Sequence, residues 1–274
     1  MEKYVAGEDN ILYDYLRSVK KGSKNNIKSL LLKRNVKVND KIVVKYDYKV
    51  YKNDVIEISQ NFISDNNLDT EILYEDDDIL VVNKKAGMLT IDTDKCDKSL
   101  YKILSSYVKK KNKNNKIFIV HRLDKDTSGI VLFAKNENVK KYLQQNWNNT
   151  KRFYRAVVHG CVKDKDTLKF KLSISKTLFT YVSKDGEDSI TKYQRISQNG
   201  NYSYVDIEIL TGKKNQIRVA FSHIGNPLVG DRKYGVKDDC NHLLLHAYLL
   251  SVNIKGKVLT FKCDVPTYFK KYTM

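Results

Sequence analysis

The sequence predicts an α+β protein, with a largely antiparallel mixed central sheet flanked by helices and a small α/β domain ahead of it. Three observations carry this expectation. Beyond residue 71 strand-like runs outnumber helical ones and do not alternate with them in βαβ order, which favours antiparallel pairing. Residues 60–70, QNFISDNNLDT, are polar and rich in Asn and Asp, the composition of a linker. Ahead of them, residues 1–59 switch from helical to strand spacing within one short unit. At 274 residues, one large domain plus a small one is the natural division: 1–59, a linker over 60–70, and 71–274.

In the leading unit Ile11, Leu12, Tyr15, Leu16 and Val19 recur at helical spacing, and Ile27, Leu30 and Leu31 repeat it. Residues 37–59 then alternate in strand fashion, with Asn-Asp turns at 39–40 and 53–54. Past the linker, strands are predicted at ILVVNK (79–84), KIFIV (116–120), GIVLFAK (129–135) and RFYRAVVHG (152–160). Four more follow at LKFKLSI (168–174), ITKYQRI (190–196), YSYVDIEIL (202–210) and KVLTFKC (257–263). Helices are predicted at SLYKILSSYVKK (99–110), ENVKKYLQQNW (137–147), NQIRVAFSHI (215–224) and NHLLLHAYLL (241–250). No internal repeat is present, and KKKNKNN (109–115) reads as a solvated loop.

Fifty basic against thirty-two acidic residues give a net charge of +18, a field that attracts polyanions, nucleic acid foremost. Abundant Lys, Asn, Ile and Tyr also fit an AT-rich coding sequence, which raises lysine without functional cause. Only eight of the basic residues are arginine, Arg122, Arg152, Arg155, Arg218 and Arg232 among them. Arginine kept against such a lysine background suggests a demand for its planar fork. No run approaches the ~20 apolar residues of a membrane helix, and the N-terminus lacks the pattern of a signal peptide. Four scattered cysteines without a C-x-x-C pair suit a reducing cytoplasm and argue against a zinc site. The expectation is a soluble cytoplasmic monomer.

Three stretches could carry chemistry. HRLDKDTSG (121–129) places charge between two apolar runs. Asp126 reads as a turn residue, but Asp124 follows Leu123 at a strand end and would be partly desolvated. A buried carboxylate needs a cation or several donors to stay ionised, and an arginine is the natural partner. In LTGKKNQIRVAFSHIGNPLVGDRKYG (210–235), Ile217, Ala220, Phe221 and Ile224 form an apolar stripe, and Arg218 lies beside it, needing an anion. The two charges suggest a pair, either catalytic or a plain structural salt bridge. In KRFYRAVVHG (151–160), Tyr154 shares a face with Ala156 and Val158, as a core aromatic or as a ring that stacks on an extruded base.

Together these stretches resemble the RluA family of RNA pseudouridine synthases. HRLDKDTSG satisfies the H-R-L-D-x-x-T-S-G signature. DDILVVNKKAGML, KRFYRAVVHG, TGKKNQIR with IGNPLVGDRKYG, and LLLHAYLL resemble its other stretches in order, over residues 71 to about 266. The resemblance implies a pseudouridine synthase fold and isomerisation of uridine in RNA, with ribosomal RNA favoured over transfer RNA and no metal or other cofactor. It implies Asp124 as the catalytic aspartate, acting as a nucleophile or on a sugar proton, and Arg218 as its partner. Tyr154 would stack on the uracil and help remove the proton from its fifth ring carbon. Arg122 would fill the place of the flipped nucleotide, and His121, Lys84 and Lys213 would contact RNA. Residues 1–59, a basic helix running into RNVKVNDKIV, resemble the RNA-binding domain of the fourth small-subunit ribosomal protein, with Lys28 and Arg34 on RNA.

Lys85 replaces a family proline, and Lys213 and Asn215 replace an arginine and a histidine. A non-catalytic RNA-binding or ribosome-assembly factor on the same fold is the alternative. A metallohydrolase built on His242 and His246 is weaker, because Leu243 stands where a zinc helix carries its glutamate.

Overall fold

The computed structural model describes residues 2–20, 26–27, 30–31, 35–39, 41–43, 45–58, 70–92 and 99–273. The chain divides into two compact units, 1–69 and 70–274.

The first unit contains β1 (Glu2–Val5), β2 (Asn10–Ile11), α1 (Leu12–Val19), β3 (Val36–Val38), β4 (Lys41–Ile42), β5 (Lys49–Val50) and β6 (Val55–Ile58). Strands β1-β6-β3-β4 form one antiparallel sheet, and β2 pairs with β5. Leu12, Leu16, Ile27, Leu31, Val36, Val38, Ile56 and Ile58 make its core. The predicted turns at Asn39 and Asn53 form with both residues at positive φ, a conformation asparagine tolerates. Asn39 holds its turn by accepting the Val55 N–H at 2.8 Å and donating to Asp54 at 2.7 Å. Most of the second predicted helix, including Lys28 and Arg34, lies outside the described residues.

The second unit is built on one eleven-stranded sheet. Its strands are β7 (Glu71–Glu75), β8 (Ile79–Lys84), β9 (Phe118–Ile119), β10 (Ser128–Ala134), β11 (Lys151–His159) and β12 (Lys165–Ile174). They continue with β13 (Thr180–Val182), β14 (Glu187–Asn199), β15 (Tyr202–Ile209), β16 (Leu245–Ile254) and β17 (Lys257–Lys262). The order is β13-β12-β14-β15-β11-β16-β10-β8-β7, with β17 on β16 and β9 on β10. Of the described pairings only β10 with β16 is parallel, at Ser128↔His246 and Gly129↔Ala247.

Among the described residues, four α-helices flank the sheet: α2 (Leu100–Lys111), α3 (Glu137–Gln145), α4 (Gln216–His223) and α5 (Lys270–Thr273). Ser99 and Asn136 cap α2 and α3, each accepting a backbone N–H from three residues on. Ile217, Ala220 and Phe221 of α4 pack on Ala156, Val158, Val205, Ile207 and Leu245. Val139 and Leu143 of α3 pack on Ile79, Val81, Leu132 and Leu250. No helix among the described residues is long and apolar enough to cross a membrane.

One expectation fails. NHLLLHAYLL is not a helix; from Leu245 onward it is β16, in the middle of the sheet. A strand covered on both faces reads as a continuous apolar run, and spacing alone cannot tell it from a buried helix. His242 and His246 therefore do not share a helical turn. His242 stacks on Tyr268 at 4.4 Å, while His246 sits fully buried against Ser128.

The parallel pairing fixes the position of the HRLDKDTSG segment, which enters β10 at that point. A Cβ on Gly129 would lie 2.2 Å from the Ala247 carbonyl oxygen, and φ there is +116°. Gly129→Ala should therefore cost about 2–5 kcal/mol in urea unfolding, from overpacking plus backbone strain. Gly200→Ala, at φ +54° with nothing within 4 Å of the added carbon, should cost only about 1–2 kcal/mol. Equal losses at the two sites would contradict this account of the junction.

Candidate active site

The segment from Val120 to Thr127 is extended and irregular, and it is pinned from several sides. Thr90 Oγ1 donates to the Leu123 carbonyl at 2.8 Å and accepts the Leu123 N–H at 3.2 Å. Lys84, fully buried at the end of β8, donates to the carbonyls of Lys85 (3.1 Å), Met88 (2.8 Å) and Lys125 (3.1 Å). Burial pushes its ammonium down to about 8, opposed by the charges of Asp126 and Asp124. His121 stacks on Trp147 at 4.5 Å, and its Nε2 accepts the Leu132 N–H at 3.0 Å. Burial, helped by Arg152, pushes its pKa down to about 3, so the ring is neutral. Ser128 Oγ meets His246 Nδ1 at 2.8 Å. Asp124 projects from the middle of this clamped segment.

Asp124 opens into a crevice of about 180 Å³. Arg122, Thr127, Tyr154 from β11, Leu245 from the start of β16, and the 212–218 segment line it. Arg218 approaches Asp124 with Nη1 3.7 Å from Oδ2. Its closer partner is Asp231, gripped through Nε to Oδ2 at 2.8 Å and Nη2 to Oδ1 at 2.6 Å. Asp231 is fully enclosed, and its Oδ1 also accepts the N–H groups of Lys233 and Tyr234 at 2.9 and 3.0 Å. Burial works against the Asp231 charge, but the Arg218 hydrogen bond and charge, with those two N–H groups, hold its pKa below the usual carboxylate value. Burial likewise opposes the charge on Arg218, and the Asp231 hydrogen bond and charge, with the charges of Asp124 and Asp126, together outweigh it and raise the pKa.

The helix start that places Arg218 is held by side chains. Gln216 accepts from Thr211 Oγ1 and from the Lys213 N–H, and donates to the Ile190 carbonyl and Thr191 Oγ1. Asn215 occupies the left-handed region at φ +54°, as asparagine can. Its amide donates to the Tyr234 hydroxyl at 3.0 Å and its oxygen accepts from Arg218 Nη1 at 3.4 Å. The Tyr234 ring lies under the guanidinium at 5.2 Å.

Tyr154 is half-buried beside Asp124, and burial pushes its phenol up to about 12, with Arg152 opposing and Asp124 adding to the rise. The crevice can therefore offer a carboxylate beside a fixed cation, next to a neutral aromatic ring.

The structure brings Asp124, Tyr154, Arg218, Arg122 and Lys213 together in one crevice. One expected RNA contact is corrected: Lys84 gives all three protons to carbonyls inside the fold and is not available to a phosphate. His121 is a neutral ring whose Nε2 is engaged with the backbone. The expected Asp124–Arg218 pair is present at 3.7 Å, with Asp231 as a second and closer partner of Arg218. Asp231 stands in the GDRKYG stretch, and a buried arginine in need of an anion was the signal that could have singled it out.

Comparison with known proteins agrees with this geometry. Residues 78–223 match the family described as RNA pseudouridylate synthase. An RNA pseudouridine synthase of Mycoplasma genitalium is 32% identical over 79% of this chain and 75% of its own length. The ribosomal large subunit pseudouridine synthase D of Buchnera aphidicola from Acyrthosiphon pisum is 33% identical over 89% of this chain and 87% of its own. The tRNA pseudouridine synthase C of Haemophilus ducreyi is 30% identical over 67% and 85%. The structure of human RNA pseudouridylate synthase domain containing 4 superposes with a TM-score of 0.65 at 20% identity, over 73% of this chain and 90% of that one, a likeness of fold. The fold is that of an RNA-modifying isomerase. The chain belongs to the RNA pseudouridylate synthase family, whose reaction converts uridine in RNA to pseudouridine.

Removing the charge behind Arg218 tests the network. Asp231→Asn should cost about 3–5 kcal/mol of stability, because it leaves a buried guanidinium short of its anion. The folded-state pKa of Asp231 is depressed, so its contribution is present above the unfolded carboxylate value of 3.8 and is lost as pH falls below it. Denaturant unfolding from pH 6 to pH 2 should therefore show a shallower acid loss in the variant than in the wild type.

Proposed function

We propose that Asp124 is the catalytic carboxylate, Arg218 its positioning cation and Tyr154 the ring that stacks on the target uracil. The observation that carries this is their convergence on one crevice, with Arg218 Nη1 3.7 Å from Asp124 and Tyr154 lining the same space. Attack on the nucleoside and removal of a sugar proton both need an ionised carboxylate in a fixed place, and the pinned segment with Arg218 beside it provides both. The glycosidic bond then breaks and the uracil turns in place. A carbon–carbon bond forms from its fifth ring carbon to the ribose, and that carbon gives up its proton. Tyr154, protonated at neutral pH, contributes its ring face, and the proton lost from the fifth ring carbon is balanced by one gained at the ring nitrogen released from the ribose, so that the product is an isomer of uridine.

Reaction on a stacked base requires the nucleotide to be flipped out. Arg122, exposed at the crevice mouth, fits the role of filling the vacated space, and Lys213 stands at the rim, its ammonium 2.6 Å from Glu187. The names of the relatives favour ribosomal RNA as substrate, with transfer RNA the other class among them. Residues 1–59, with Lys28 and Arg34, would serve as an RNA-binding domain like that of the fourth small-subunit ribosomal protein, joined by 60–70 to a catalytic domain over 71–274. A chain of net charge +18 suits such a partner.

The test is pseudouridine mapping across all cellular RNA with and without the gene. One or a few uridines should lose modification on deletion and regain it with wild type but not with Asp124→Asn. In vitro, Asp124→Asn should lose at least about 10³-fold in turnover with RNA affinity within about threefold of wild type. Rescue by the Asn variant, or an unchanged map after deletion, would count against the assignment.

A further inference from the structure

Arg152 is a second arginine beside the crevice, and among the described residues no hydrogen-bond acceptor meets its Nε or Nη2. On β11 it shares a face with Tyr154, Ala156 and Val158, the face that α4 covers. Its side chain is only 6% exposed, and Nε and Nη2 are shielded from water without a hydrogen-bond acceptor. Those two atoms form one edge of the guanidinium, the edge through which Arg218 grips Asp231. One arginine thus has its fork filled and the other has the same fork empty.

A buried charge without a counter-charge works against folding, so its presence calls for an anion that arrives. The Trp147 ring, 5.9 Å from the guanidinium carbon, offers a face contact and leaves the fork free. Arg152 Nη1 would stand 3.0 Å from a Cβ placed on Gly212, and Gly212 lines the crevice. A Cβ at 212 would press on this tip and make it give way by a few tenths of an ångström.

We propose that Arg152 is a buried anion subsite of the crevice, taking two oxygens of the RNA phosphodiester next to the flipped nucleotide. The inference rests on the crevice being the RNA site. A rotation about the last side-chain bonds carries the fork past Gly212 towards the bound strand. A bidentate phosphate matches both free N–H groups in geometry and in charge; a neutral base carbonyl would leave the charge unbalanced.

The test uses Arg152→Met, which keeps length and apolar packing and removes the charge. The probe is large-subunit ribosomal RNA transcribed in vitro and therefore unmodified, with affinity measured against KCl concentration. The plot of log affinity against log salt should become shallower by about 0.7, one contact to a single strand. The melting temperature of the free variant should equal or exceed that of wild type, because an uncompensated charge has gone. An unchanged slope with a lower melting temperature overturns the proposal and makes Arg152 a structural cation for Trp147. Arg122→Gln separates the two levels of inference. If it lowers the slope while Arg152→Met does not, only the Arg152 subsite fails; if neither lowers it, the crevice is not the RNA site. Should Arg152→Met not fold, Gly212→Ala crowds Nη1 without removing charge and is read by the same slope.

Discussion

A buried guanidinium must be answered by an anion, and the way Arg218 is answered organises the crevice. Asp231 takes two of its N–H groups from behind, Asn215 approaches a third, and the Tyr234 ring supports the plane. What remains of the guanidinium points at Asp124 from 3.7 Å. Held by Asp231, Arg218 can offer charge to the Asp124 carboxylate without closing on it in a bidentate bridge, which would occupy both of its oxygens. The support extends outward. The Tyr234 hydroxyl accepts from Asn215 and from the Thr180 N–H, so the β12–β13 hairpin and the start of α4 are tied to the same ring.

Asp124 faces the complementary problem: a carboxylate on an irregular segment must not wander. The segment gains fixity without secondary structure because its neighbours spend polar groups on its backbone. Thr90 closes two hydrogen bonds on Leu123, Lys84 reaches Lys125, and Gly129 locks the exit onto Ala247 through contact no side chain could fit. Lys84 shows how strong the demand is. Its ammonium stays buried although burial pulls its pKa to about 8, and its three hydrogen bonds satisfy carbonyls of a turn and a loop inside the fold.

Much of this was legible in the sequence, and the limits have physical causes. Strand alternation in KRFYRAVVHG placed Tyr154 on the same face as Ala156 and Val158, and the structure keeps it there, because period-two spacing survives wherever one face is buried. β16 was misread because a strand covered on both faces carries no alternation. Lys84 was taken as a contact for RNA because a basic residue in a motif looks the same whether it faces solvent or the interior. Asp231 escaped notice for a related reason. It lies thirteen residues past Arg218 and reaches it only through the turn that brings GDRKYG back over α4, a closure that spacing along a helix cannot reveal.

The balance of lysine and arginine makes sense in these terms. Lysines such as Lys213, Lys233 and Lys255 sit at the surface, where a mobile point charge serves a diffuse attraction to RNA. The arginines of the β11 and α4 region sit where shape matters. Arg218 forks onto Asp231, and Arg155 stacks over Tyr248 at 4.4 Å while reaching Asp206. Arg152 lies by Trp147 with its fork empty. Composition set by an AT-rich coding sequence can supply positive charge anywhere on the surface, but it cannot supply a planar fork in a chosen orientation. The few arginines kept against that background mark the positions where geometry, and not charge alone, is required.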